Sequence, residues 1–196
     1  MSILSKYTRP CGKNVPGNKS RIFIAHKRNV LSITATAGQS DASVTAITMR
    51  TASAGHQFQL IEADFDTVQF TSNGQGGTNY FRTQNIIGKF SALSKDLISL
   101  EDDLAESLPC GLVVIRCDNN GKAFISGISI PTKEGNERPW NKGTIEYDSG
   151  TIPTDEGTQA MTLTLERMGG YGESPLNATL TNLINKNSAT AAFIDW

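Results

Sequence analysis

Histidine and cysteine are scarce in this chain of 196 residues, which has two of the first and three of the second. Neither set has the short ligand spacing of a zinc site. His26 and His56 each stand on or beside a strand-like stretch, and no G-x-S-x-G elbow accompanies them. They read as surface or interface histidines rather than general bases. Cys11, Cys110 and Cys117 are odd in number and form no C-x-x-C pair. They are predicted to be free thiols in a reducing compartment. Cys110 and Cys117 are expected in or beside a strand as small apolar groups.

Charge is also sparse: 18 basic and 19 acidic residues leave a net of -1. No basic run tracks phosphates and no polybasic segment holds a membrane, so specific nucleic-acid and membrane partners are not expected. Long apolar runs are missing. No segment approaches the ~20 residues of a membrane span. Met1 to Asn14 has no apolar stretch of signal-peptide kind. Nucleotide motifs are absent too. GKNVPGNKS, Gly12 to Ser20, keeps a G-x-x-x-x-G spacing, but Asn18 intrudes before Lys19. An arm precedes it and a strand follows, whereas a phosphate loop joins a strand to a helix. DNNG, Asp118 to Gly121, opens like a Ca²⁺ loop, but Ser129 stands where the twelfth-position Glu belongs. No cofactor and no metal are expected.

What is present is polar and uncharged. Hydrophobic residues are 38% and aromatics 7%, and Thr, Ser, Asn, Gln and Gly fill much of the rest. That mixture suits β-structure with many turns. The length suits one domain, divided into an N-terminal arm (1–19), a β domain (20–168) and a C-terminal arm (169–196). Strands are predicted at Ser20 to His26, Val30 to Thr34 and Val44 to Arg50. HQFQLIEADFDTVQF and YFRTQNIIGKFS flank a Gly/Ser/Asn-rich stretch, Thr71 to Asn79, and read as one long hairpin over 56–91. At ~3.3 Å per residue its first strand, Gln57 to Phe70, would span roughly 45 Å, long for a small domain.

Leu93, Leu97, Leu100 and Leu104 recur every three or four residues, and Leu108 extends the stripe. This predicts an amphipathic helix whose leucines are core, with Ser94 as N-cap and Pro109 and Gly111 as its stop. GLVVIRC reads as a buried strand, DNNG as a hairpin turn and KAFISGISI as the return. TIEYDSG and QAMTLTLERM read as two further strands. The fold class is mainly β: about seven to nine strands in a β-sandwich or barrel with one packed α-helix.

Glu62, Asp64 and Asp66 stand two apart on a predicted strand, so one face carries all three. Mutual repulsion keeps that face hydrated. Residues ~7 Å apart along a strand do not converge on one Ca²⁺ unaided. A glycosidase pair would need an enclosed cleft. The sharper reading is a water-filled lumen lined by Glu62, Asp64 and Asp66.

In this order the elements resemble a tail tube protein of long-tailed phages and prophages. The likeness rests on CGKNVPGNKSRIFIAH, the central hairpin followed by a helix, GLVVIRCDNNGKAFISG and SGTIPTDEGTQAMTLTLER, and covers roughly residues 11 to 168. It implies a non-enzymatic virion protein, assembled in the host cytoplasm. Hexameric rings would stack into a tube, with the long hairpins joined edge to edge in an intersubunit β-barrel. The partners implied are other copies of itself, other phage tail proteins, and phage DNA in transient non-specific contact during ejection. The alternatives are a neck, tail-terminator or capsid-decoration protein, and then a carbohydrate-binding or carbohydrate-active β-sandwich.

Overall fold

The computed structural model describes residues 18–36, 43–50, 57–64, 67–75, 81–91, 95–130, 138–148, 160–169 and 172–185. Eleven strands fall within them: β1 (Asn18–His26), β2 (Val30–Ala35), β3 (Val44–Met49), β4 (Gln59–Glu62), β5 (Gln69–Gln75), β6 (Phe81–Ser91), β7 (Leu112–Asp118), β8 (Ala123–Ser126), β9 (Lys142–Asp148), β10 (Ala160–Gly169) and β11 (Ser174–Pro175). Two α-helices accompany them, α1 (Lys95–Ser107) and α2 (Ala178–Asn185). The chain is mainly β. Its strands form a five-stranded sheet ordered β11-β8-β7-β1-β4, a four-stranded sheet ordered β5-β6-β10-β9, and the ribbon β2-β3. Every named strand pair is antiparallel, and the described residues close no barrel.

The five-stranded sheet is buried on both faces, so β1 and β7 carry continuous apolar runs rather than alternation. Phe23, Ala25, Val113 and Ile115 pack with Val30 and Ile33 of β2, Val44 of β3, and Leu176. Ile22, Ile24, Leu112 and Val114, on the opposite face, pack with Ile86, Phe90, Met161, Leu163 and Leu165 of the four-stranded sheet. Trp140 is fully buried in this second core. Its Nε1 donates to Ser126 Oγ at 3.1 Å, so the indole brings no orphan donor inside. Gly127 makes room for it. At φ +96°, a Cβ there would lie 2.5 Å from the Leu112 carbonyl oxygen and 2.9 Å from Trp140 Cδ1.

The leucine stripe acts as its spacing predicts where it can be seen. Leu104 is buried, and Leu100 and Leu108 are partly buried against the second core. Leu97 lies within α1, its side chain outside the description, and Leu93 and Ser94 lie outside the described residues. A 3₁₀ turn at Leu108–Cys110 and Gly111 at φ 82° end the helix. Leu104→Ala is expected to cost about 2–5 kcal/mol, and Leu100→Ala less because that side chain is only partly buried; thermal denaturation measures both.

The long strand from Gln57 to Phe70 is a prediction the structure corrects. β4 belongs to the five-stranded sheet and β5 to the four-stranded one. The change occurs within two residues: Ala63 N donates to Ser20 O on β1, and Asp64 N donates to Lys89 O on β6, each at 2.8 Å. Thr67 Oγ1 then donates to Asp64 O at 2.8 Å, closing the bend. The hairpin is therefore β5-β6, and Thr71 to Gln75 are strand rather than loop. Residues 172–185 give a second correction, because they are built into the fold instead of extending from it as an arm. β11 extends the five-stranded sheet, and Leu176 is in the first core. Asn177 caps α2, its Oδ1 accepting from Leu180 N at 2.9 Å.

The thiols divide. Cys117 is buried, as expected, but Cys110 is exposed on its 3₁₀ turn, a correction to its predicted packing. Cys11 lies outside the described residues. Burial pushes the Cys117 thiol up from 9.0 to about 11. The folded state thus holds the proton that the unfolded state releases. The thiol's contribution to stability is full below about pH 9 and is lost as pH rises toward about 11. Across that window the wild type should lose up to about 2–3 kcal/mol more than Cys117→Ala, measured by urea denaturation at each pH.

Candidate functional site

Among the described residues, the four-stranded sheet ends on two strands with no further neighbour, β5 and β9, each seven residues long. The Asp64 N–H to Lys89 O bond shows that odd-numbered residues of β6 turn their backbone groups toward β5. Alternation along the ladder then places the backbone groups of Phe70, Ser72 and Gly74 on the outer side of β5. Counting across β10 places those of Gly143, Ile145 and Tyr147 on the outer side of β9. An edge of this kind is a template for another strand. Natural edges are blunted by charge, yet QFTSNGQ of β5 carries none.

One face of this sheet covers the second core and the other does not. Along β10, buried Met161, Leu163 and Leu165 alternate with half-buried Thr162, Thr164 and Glu166. The register sets Thr71, Asn85, Glu166 and Lys142 in one row across that second face, and Gln69, Ile87, Thr164 and Thr144 in the next. By register its charged members are Lys89, Lys142, Glu146, Asp148 and Glu166, two basic and three acidic. Lys142 Nζ lies 3.7 Å from Glu166 Oε1.

The acidic residues singled out from the sequence lie elsewhere. Glu62 is exposed on β4, and Arg21 Nε donates to its Oε1 at 3.4 Å. Asp64 is half-buried at the crossing between sheets, and Asp66 lies outside the described residues. Ile61 and Ala63 point inward between them. Glu62 and Asp64 therefore do not line the β5-β6 hairpin, because the crossing puts them in the other sheet. They line a groove of about 1080 Å³ between β4 and α1. Among the described residues, no group of three or more His, Cys, Asp and Glu could hold a metal ion. No helix among them is long and apolar enough to cross a membrane.

The same groove contains a Ser–His contact, with Ser107 Oγ 2.8 Å from His26 Nε2. Ser107 ends α1, where the helix dipole is negative and opposes an alkoxide or an oxyanion. Its 9% exposure also leaves little access for a substrate. The contact reads as a tie between α1 and β1. His56 lies outside the described residues.

A second polar cluster was not foreseen. Arg116 of β7 stacks on Phe70 of β5 at 4.1 Å and Phe124 of β8 at 4.7 Å. Its Nε donates to Glu173 Oε1 at 2.8 Å, and its Nη1 donates to Asn18 Oδ1 at 2.6 Å. Asn18 Nδ2 in turn donates to Val68 O at 3.4 Å. One guanidinium thus joins both large sheets, the first residue of β1 and the segment leading into β11. Burial pushes the Glu173 carboxyl up, against the pull of Arg116. Burial likewise lowers Arg167 to about 10, and its Nε donates to Gln84 Oε1. The only sequence signal was an arginine inside the apolar run GLVVIRC.

Comparison of the chain with protein-family models, curated proteins and solved structures finds no match.

Proposed function

We propose that this chain is a structural protein that assembles with copies of itself, and specifically a tail tube subunit of a long-tailed phage or prophage. The observation that carries the reading is the four-stranded sheet with two open edges of equal length. Joining β5 of one copy to β9 of the next continues the sheet through every subunit, and a closed ring leaves neither edge of that sheet bare. The β-sandwich of each subunit then forms the wall around a barrel shared by six copies. Rings stack into the tube through which DNA leaves, with other tail proteins at its ends. The chain assembles in the host cytoplasm and resides in the virion tail.

The bore in this reading is lined by the second face of the four-stranded sheet rather than by Glu62 and Asp64. Threonine, asparagine and glutamine predominate there, and two lysines stand among three carboxylates, Glu146, Asp148 and Glu166. Strong DNA binding requires many phosphates to be neutralised by Lys or Arg. A hydroxyl- and amide-rich wall with no excess of positive charge offers few such contacts, so a moving duplex meets no deep traps. Negative-stain microscopy of the purified chain tests the proposal. Tubes are expected. Isolated rings would favour a neck or terminator role, and a monodisperse monomer at high concentration would overturn self-assembly.

A further inference from the structure

The groove between β4 and α1 combines three features suited to an extended peptide. Its floor is apolar, with Ile61 of β4, Phe90 of β6, and Leu100 and Leu104 of α1. Its side is the free edge of β4. Ala63 N bonds to β1, so alternation turns the backbone groups of Leu60 and Glu62 away from β1. Its rim is acidic: Glu62, Asp64, Asp103 and Glu106 line it, against the guanidinium of Arg28 in the lining and that of Arg21, which bonds Glu62. At about 1080 Å³ it is slightly larger than the usual small-molecule pocket.

We propose that this groove receives residues 2–9 of a second copy of the chain, added as a strand on the edge of β4. The proposal rests on the self-assembly reading. Charge selects the occupant. Residues 1–17 contain Lys6, Arg9 and Lys13 and no carboxylate. Residues 186–196 contain Lys186 balanced by Asp195, and so offer an acidic rim nothing net. Residues 2–9, SILSKYTR, also have strand chemistry: an extended backbone would set Ile3 and Tyr7 on one face at a period of two, and Leu4 and Lys6 on the other. Main-chain bonds to Leu60 and Glu62 supply affinity, Ile3 meets the apolar floor, Arg9 on the same face reaches the carboxylates on α1, and Lys6 on the other face reaches Glu62. This is strand addition with side-chain pockets setting register.

Two native thiols make the docking testable in the full-length chain. Cys11 stands two residues beyond Arg9, and Cys110 lines the groove and is exposed. Full-length Cys11→Ser and Cys110→Ser variants are mixed and treated with a short bis-maleimide. A Cys11–Cys110 link can then form only between copies. A covalent dimer carrying that link in its peptide map is expected. The double variant Asp103→Lys, Glu106→Lys should lower its yield by at least about tenfold, since like charges facing each other in an interface cost several kcal/mol. Adding Arg9→Glu in the partner should restore it. No dimer, or a reversal without effect, overturns the docking. Carbodiimide coupling of Lys186 rather than Lys6 to groove carboxylates overturns the choice of occupant. Microscopy of the same mixture separates this from the proposed function. Tubes without the link reject the docking alone, whereas linked dimers that never form tubes reject the tube and leave the docking.

Discussion

Arg116→Ala will destabilise the fold by about 3–5 kcal/mol, the usual consequence of removing one member of a buried ion pair. The side chains of Arg116 and Glu173 are 12% and 7% exposed, so solvent cannot take over the lost contact. The substitution leaves a carboxylate whose protonation burial already favours, and it strips both Phe70 and Phe124 of a stacked guanidinium. Replacing both charges, as in Arg116→Met with Glu173→Leu, should recover much of the loss, because a buried pair exchanged for apolar groups is often close to neutral. Urea denaturation of the two singles and the double supplies the cycle. Amide exchange should localise the damage: residues 172–176 and Asn18 should lose protection in Arg116→Ala before β6 and β10 do, because this guanidinium bonds the chain at both places. A loss below about 1 kcal/mol would mean the cluster is not the clasp its geometry suggests.

That clasp shows where the sequence could be read and where it could not. Strands β1, β7 and β10, helix α1 and the turn at Asp118 announce themselves through local pattern: apolar runs, threonine–leucine alternation, a leucine stripe and an Asn-Gly turn. Asp118 Oδ1 accepts from Asn120 N and Lys122 N, local bonds of the kind such turns form. The crossing between β4 and β5 also left a trace. Apolar residues fall on odd positions at Ile61, Ala63 and Phe65, then on even ones at Val68 and Phe70. Side chains on one strand keep one phase, so a change of phase marks a break. The turn chemistry of the segment hid it, because no Gly or Pro stands there. α2 was legible only through its cap, Asn177, ahead of an apolar pattern two turns long.

The functional geometry was less accessible for a physical reason. Arg116 and Glu173 are 57 residues apart, and Arg116 and Asn18 are 98 apart. Nothing local specifies either contact. The groove is likewise a product of two elements, α1 and β4, that only the tertiary fold sets side by side. Glu62 is exposed and Asp64 half-buried, whereas Ile61 and Ala63 are buried. Which sheet the strand joins could not be read from period two alone.

Gly74→Pro should abolish polymerisation while leaving the subunit folded. Gly74 is exposed on β5, and its backbone N–H points away from β6, so proline removes no bond of the hairpin. Proline is tolerated on an edge strand for that reason. If β5 pairs with β9 of a neighbour, however, assembly turns the edge strand into an interior one. There proline both deletes a ladder hydrogen bond and pushes its ring into the arriving strand. Every copy carries the lesion at every junction, so a ring must accept it at each contact and fails to close. Gly74→Ser is the matched control, since serine keeps the N–H and suits an extended backbone. Both variants should melt within about 1 kcal/mol of the wild type, as exposed substitutions generally do. Sedimentation and negative-stain microscopy should then show tubes for the wild type and Gly74→Ser, and only small soluble species for Gly74→Pro. Tubes of normal length from the proline variant would remove β5 from the interface and force the search for it to another surface of the subunit.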